Sequence, residues 1–289
     1  MTDRDAAVPS RFEACPCCRS RRFRLTWHNR NARPVTTWRQ FMFEGRSFIE
    51  RVVACTDCGF SFLDPYTDGS AFYAGAAVDE YLSLTAQRHR YFAEVRRLAV
   101  ERGLDLGGPA RILDVGAGDG EWLRQWPATW RKCATEAHPR LVARLEQQGV
   151  EVRGAAEGHE GEFDLVSAFD FLEHVPDPRA WLMSIRGRIR PGGYLVVGVP
   201  DLGKWIARLL GTRYYLYCPM HYGYFNRSAL GRLMADVFGN TLCMEASPKM
   251  YPTLGSVIKW VSGGRATESV LRLPLPVGYS ASLIALARR

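Results

Sequence analysis

The stretch that decides the fold is Leu113-Asp114-Val115-Gly116-Ala117-Gly118-Asp119-Gly120. Residues 111–115 are apolar enough for a buried strand. The alternating glycines after it end the strand on a loop open to close backbone approach and positive φ. A helix is expected over residues 119–126. The alternation then continues: strand 132–136, helix 139–148 ended by Gly149, strand 150–153 and strand 163–169. A helix over 178–190 stops at Pro191-Gly192-Gly193, and strand 194–199 follows. A helix over 226–238 is capped by Asn226 or Ser228, and strands 242–245 and 279–287 come last. This order predicts an α/β fold with a doubly wound, seven-stranded, mostly parallel sheet. The second strand ends on Glu136, 20 residues past Gly116, where a carboxylate meets ribose hydroxyls in nucleoside-binding sheets.

Ahead of this unit lie two CxxC pairs, Cys15-Pro-Cys-Cys18 and Cys55-Thr-Asp-Cys58, among eight cysteines in all. In a reducing compartment such pairs read as a tetrahedral four-cysteine zinc site rather than disulfides. Pro16 and Gly59 suit the tight turns. Cys17 competes with Cys18 as a ligand, but only Cys15 with Cys18 keeps the two-residue gap. Residues 19–54 separate the pairs, long enough to carry strands of their own. Four thiolates leave no open position, so the zinc is structural, as a small module needs. Cys133, Cys218 and Cys243 read as core residues. The expected domains are a zinc-binding module over 1–65, a helical linker over 66–108 and the α/β domain over 109–289, with an insertion at about 201–226.

The 289 residues, 47% hydrophobic and 24% charged, suit a globular chain of one large and one small unit. No apolar run reaches the roughly 18–20 residues of a membrane span, and the first residues lack the apolar stretch of a signal peptide, so a cytoplasmic location is expected. The net charge of +8 comes mostly from dispersed arginines, with a small cluster at Arg19, Arg21, Arg22 and Arg24. That permits an anionic partner without demanding one.

The Asp114-x-Gly116-x-Gly118-x-Gly120 pattern resembles motif I of the class I S-adenosylmethionine methyltransferases. A dinucleotide dehydrogenase would carry G-x-G-x-x-G, which is missing. The resemblance continues through Phe163-Asp164-Leu165-Val166, Phe171-Leu172-Glu173-His174-Val175 and Arg190-Pro191-Gly192-Gly193-Tyr194-Leu195. These are similar to landmarks of the ubiquinone-type and related small-molecule methyltransferases, and the likeness covers roughly residues 110–245. It implies that Asp114, Gly116 and Gly118 hold the methionine part of S-adenosylmethionine, that Glu136 takes the ribose, that Ala156 and Glu157 touch adenine, and that Asp170 lies beside the sulfonium. Asp114 has a second reading, as a structural carboxylate receiving loop N–H groups.

Two histidines stand where acid–base chemistry would occur: His174 after the fourth strand, and His221 after the fifth. The segment His221-Tyr222-Gly223-Tyr224-Phe225 resembles one in zinc-carrying sugar C-methyltransferases, where a histidine is a candidate base. Those proteins place an acid before it, here Met220, and carry a further C-terminal domain with no counterpart in this length. Both departures point to O- or N-methylation. Each histidine has the alternative of simple packing. Residues 205–224, with Trp205, Arg208, Arg213, Tyr214, Tyr215, Tyr217, Tyr222 and Tyr224, suit a substrate lid over a polar, sugar-linked or phosphorylated acceptor of secondary metabolism. The readings in competition are an RNA methyltransferase with a zinc module and a non-catalytic zinc scaffold.

Overall fold

The computed structural model describes residues 12–37, 40, 47–66, 78–83, 85–154, 156–159, 161–204, 207, 217–239, 241–246 and 282–289. The chain begins with β1 (Phe23–His28), β2 (Arg51–Cys55) and β3 (Ser61–Leu63), then α1 (Val78–Ser83) and α2 (Thr85–Glu101). Next come β4 (Arg111–Val115), α3 (Glu121–Arg124), β5 (Arg131–Thr135), α4 (Pro139–Gln147), β6 (Glu151–Arg153), β7 (Phe163–Phe169), α5 (Pro178–Arg188) and β8 (Ile189–Pro200). It ends with β9 (Gly223–Tyr224), α6 (Arg227–Phe238), β10 (Thr241–Ala246) and β11 (Ser282–Arg288).

Seven strands form one sheet in the order β10-β11-β8-β7-β4-β5-β6. β6, β5, β4, β7 and β8 run parallel, and β11 enters antiparallel between β8 and β10. The two central strands are apolar because helices cover both faces of a parallel sheet; Leu113, Leu165 and Val166 are fully buried. The order reverses between β4 and β7, so a crevice opens at their carboxyl ends, where such sheets bind ligands.

Local chemistry sets the helix ends. Asp177 caps α5 by accepting from the Ala180 N–H at 2.9 Å, and Asn226 caps α6 by accepting from Ala229 at 2.8 Å. Pro139 and Pro178 open α4 and α5, where a missing N–H costs nothing. Two expectations shift. α3 is one turn, not 119–126, because Pro127 disfavours helical backbone at Trp126. α5 ends at Arg188 rather than Arg190, because Ile189 is already extended and pairs with Phe163 of β7; the Pro-Gly-Gly segment lies inside β8 as an irregularity between the pairs Phe163↔Ile189 and Leu165↔Tyr194. Of the expected helical stretch 66–108, residues 67–77 lie outside the described residues, as does 279–281 of the last strand. So do 205–206 and 208–216 of the insertion, with Trp205, Arg208, Arg213, Tyr214 and Tyr215.

The second sheet has the order β1-β2-β3-β9. Its first three strands come from the cysteine-bearing segment, and its last lies far along the chain, just before α6. One buried cluster runs from Cys55, Phe60 and Phe62 through Phe225 to Leu230, Leu195 and Val197.

Candidate active site

The glycine loop leaves β4 with Gly116 at φ 71° and Gly118 at φ 57°, in the left-handed region closed to most side chains. The Gly116 and Ala117 N–H groups both donate to the Thr135 carbonyl at 3.0 Å, which ties the loop to the end of β5. Glu136, the next residue, accepts from Gly118 N–H at 2.9 Å through one oxygen, and from Ala137 and His138 N–H at 2.8 Å through the other. A carboxylate offers about four lone-pair sites, so Glu136 is held rigidly against the loop with acceptor capacity to spare.

Asp114 is buried one residue below the bend of the strand, 3% exposed. Its partner is the Ser167 hydroxyl, which donates to it at 2.6 Å across the β4–β7 pair. The loop N–H groups thus go to Thr135 and Glu136 rather than to Asp114. Burial pushes its carboxyl up to about 7, against the Ser167 hydrogen bond and aided by the nearby Glu136 charge. Asp170 follows β7 at φ 48°, a strained value for a non-glycine residue, held by its N–H donating to Gly198 at 2.9 Å. Ala156 and Glu157 form a 3-10 turn after β6, Ala156 being buried. Asp114, the loop, Glu136 and Asp170 therefore stand at the carboxyl ends of adjacent strands, along one edge of the sheet.

Sequence reasoning missed the strap across this loop. Tyr81 of α1 lies over Gly118: a Cβ at that glycine would stand 2.1 Å from the Tyr81 hydroxyl. The Arg88 guanidinium stacks 3.7 Å from the Tyr81 ring and pairs with the buried Asp119 at 2.7 Å, which Thr85 also reaches at 2.8 Å. Arg140 of α4 holds Asp79 of α1 at 2.7 Å. In the sequence Tyr81 was one apolar position of a helical period, and nothing local linked it to a loop 37 residues away.

A second cluster stands where β7 and β8 give way to loops. Glu173 and His174 lie in a 3-10 turn, Leu172–His174. His221 approaches from the insertion, its ring 4.9 Å from that of His174. One donor atom from each of Glu173, His174 and His221 lies within 4.8 Å of the others. A carbonyl can only accept, so His174 donates through Nδ1 to Met220 O at 2.8 Å. Burial pushes the His174 ring down to about 4, opposed by its hydrogen bonds to the Met220 and Asp170 backbones. Glu173 is 1% exposed, and neither carboxylate oxygen has a hydrogen-bond partner among the described residues; burial, with the Asp170 charge beside it, raises its carboxyl well above the usual range. His174 thus grips the peptide that precedes His221, and His221 is the ring left nearer the insertion.

The four cysteines converge as their spacing predicted. Sγ of Cys15 lies 3.8 Å from that of Cys58, and Sγ of Cys18 lies 3.6 Å from that of Cys55, with all four within 4.8 Å. Disulfide sulfurs would be about 2 Å apart, whereas a tetrahedron with metal–sulfur bonds of about 2.3 Å has edges of about 3.8 Å. Arg19 and Gly59 take the same left-handed turn after each pair, φ 63° and 76°. Cys18 completes the set of four mutually close sulfurs, whereas Cys17 stands outside it, donating to the Ala229 carbonyl at 3.4 Å while also touching Cys58. The cluster is clamped to the large sheet's helices: Arg19 pairs with Asp177 at 2.7 Å, Arg179 donates to Cys17 O at 2.9 Å, and Asn226 donates to Gly59 O at 2.9 Å.

The strand order reversing at the glycine loop, with an acid at the next strand end and β11 antiparallel beside β8, is the fold of the class I methyltransferases. Residues 84–237 match the Methyltransferase domain family, and the chain belongs to that family. It is similar to the ubiquinone biosynthesis O-methyltransferase of Cronobacter sakazakii, 32% identical over 120 residues covering 37% of this chain and 49% of the relative. The enzyme of the same name from Xanthomonas euvesicatoria pv. vesicatoria is 34% identical over 148 residues, 42% of this chain and 61% of that one. The chain thus spans about half to three fifths of the length of these relatives. In fold it is similar to a chain of the complex between the Haloferax volcanii Trm112 methyltransferase activator and a methyltransferase, with TM-score 0.52, 11% identity and coverage of 76% and 97%. Among the described residues, no helix is long and apolar enough to cross a membrane.

Proposed function

We propose that this enzyme methylates a hydroxyl or amine of a small molecule, such as a sugar or another natural product, with His221 receiving the acceptor's proton. The observation that carries this reading is the meeting of His221 with His174 and Glu173 at the strand ends next to Asp170. When bound, the cofactor supplies a methyl group on a sulfonium. The protein's part is to align the acceptor, exclude water and accept a proton where the nucleophile carries one. Asp114, Gly116, Gly118, Glu136, Ala156, Glu157 and Asp170 line the cofactor's side. The name O-methyltransferase shared by the relatives favours oxygen. Arg19 and Arg22 are paired with Asp177 and Asp57 instead of forming an open anion-binding strip, which favours a small molecule over RNA. Cys15, Cys18, Cys55 and Cys58 would hold one structural zinc. Its shell would be filled by thiolates, so it gives no chemistry to the transfer. The same reading keeps residues 1–65 as the zinc-binding module, 66–108 as the helical linker and 109–289 as the catalytic unit, acting in the cytoplasm.

The test is mass spectrometry of a metabolite pool incubated with the protein and methyl-deuterated S-adenosylmethionine. On the acceptor so identified, His221→Ala should lower turnover by roughly 100-fold or more and leave S-adenosylhomocysteine affinity nearly unchanged. Full turnover of His221→Ala at saturating acceptor would leave His221 as packing.

Tyr81 joins the cofactor side in this reading, as the strap residue over Gly118. Tyr81→Ala should weaken S-adenosylhomocysteine binding about tenfold, the scale of one good contact. Tyr81→Phe separates the ring from the hydroxyl. Calorimetry giving wild-type affinity for both variants would remove Tyr81 from the site.

A further inference from the structure

We propose that the four-cysteine module is a positioning device for the acceptor site: through Phe60 it fixes where the His221 imidazole stands. This rests on the acceptor-side reading of His221. The path is short. Cys58 is followed by Gly59 and Phe60, and the Phe60 carbonyl accepts from the Cys55 N–H at 2.9 Å, so the residue that closes the cysteine knuckle is also the one that leaves it. Phe60 is 1% exposed and the far end of its ring meets Gly223, where an added Cβ would stand 2.3 Å from Cζ. The ring also packs on Phe225, 4.8 Å between ring centres, and stacks on Phe62.

Beyond Phe60, β3 pairs with β9 through Ser61↔Tyr224 and Phe62↔Gly223, and the Leu63 N–H donates to Tyr222 O at 3.0 Å. Tyr222 is the residue after His221. From the other side Asn226, which caps α6, donates to Gly59 O at 2.9 Å. His221 thus directly precedes three successive residues gripped by the cysteine-bearing sheet. The catalytic unit meets the same stretch through His174, which donates to Met220 O and packs on the His221 ring, and through the Asp201↔Phe225 bridge. Glycine at 223 is what lets the two layers approach this closely, because any side chain there meets an aromatic ring.

The module is therefore one wall of the acceptor side, and a distortion of its knuckle should be felt at His221 before it is felt at the glycine loop, which hangs from β4 and β5. Gly223→Ala tests this in the full, metal-loaded chain. Zinc content and S-adenosylhomocysteine affinity by calorimetry should stay at wild-type values within twofold. The His221 ring resonances in nitrogen-15-labelled protein should shift, and Phe60→Leu combined with Gly223→Ala, which removes the far end of the ring, should bring them back. If Gly223→Ala does not accumulate as folded protein, Phe60→Leu alone should shift the same resonances, since the contact is lost. Unmoved His221 resonances, or a double variant no closer to wild type than Gly223→Ala, would overturn the proposal. The resonances report the surroundings of the imidazole and not the reaction, so a failure here is distinguishable from a failure of the proton-acceptor role, which stands or falls on the turnover of His221→Ala.

Discussion

Gly116→Arg is expected to abolish S-adenosylmethionine binding while leaving the metal content of the protein intact. Gly116 sits at φ 71°, and a Cβ there would stand 2.9 Å from Cδ2 of Phe171. A non-glycine residue in this conformation costs roughly 1–2 kcal/mol before any contact is counted. An arginine adds a long cationic chain at the mouth of a crevice meant for a sulfonium and an ammonium, so both volume and charge oppose the ligand. Gly149→Ala is the control. It has a similar φ of 75° but nothing within 4 Å, so it pays backbone strain alone and should lower the melting temperature with affinity retained. Calorimetry with S-adenosylhomocysteine decides; wild-type affinity in Gly116→Arg would mean that the loop does not hold the cofactor.

Cys58→Ser is expected to remove the metal and unfold the small sheet. Structural zinc contributes on the order of 10 kcal/mol in small modules, comparable to the whole stability of a typical domain. The loss should not stop at the module, because β9 loses its partner strand and Gly59 its contact with the capping Asn226. Soluble yield should therefore fall, and in the surviving protein the melting transition should broaden. Cys17→Ser should keep its zinc, since that sulfur donates to the Ala229 carbonyl and is not one of the four mutually close ones. Fresh wild-type protein without zinc, or Cys58→Ser with a full complement, would refute the site.

The glycine loop could be read in the sequence because its chemistry is local. Strand, glycines and acid follow one another, and backbone sterics oblige glycine where φ is positive. The converging cysteines were readable for the same reason, since a two-residue gap brings two sulfurs together whatever surrounds them, and the same gap singled out Cys18 over Cys17. That the Cys17 sulfur reaches the Ala229 carbonyl, 212 residues away, was not readable. Tyr81 escaped because packing, not local pattern, lays α1 across the loop. The length of α3 was overestimated where the proline that follows was allowed too little reach, and that of α5 because Ile189 pairs with β7 instead.

The sequence by itself determined the strand–helix alternation, the class of sheet, the cofactor it serves and the four converging cysteines, all consequences of short-range sterics and periodicity. Tertiary structure alone decided what the two units share. β9 lies between residues 223 and 224, too short to be seen as a strand in isolation, and exists only because β3 offers it hydrogen-bond partners. The same pairing brings His221 within 4.9 Å of His174, from 47 residues farther along the chain. No periodicity encodes such a meeting, because it depends on burial and strand pairing between segments that are neighbours only once folded.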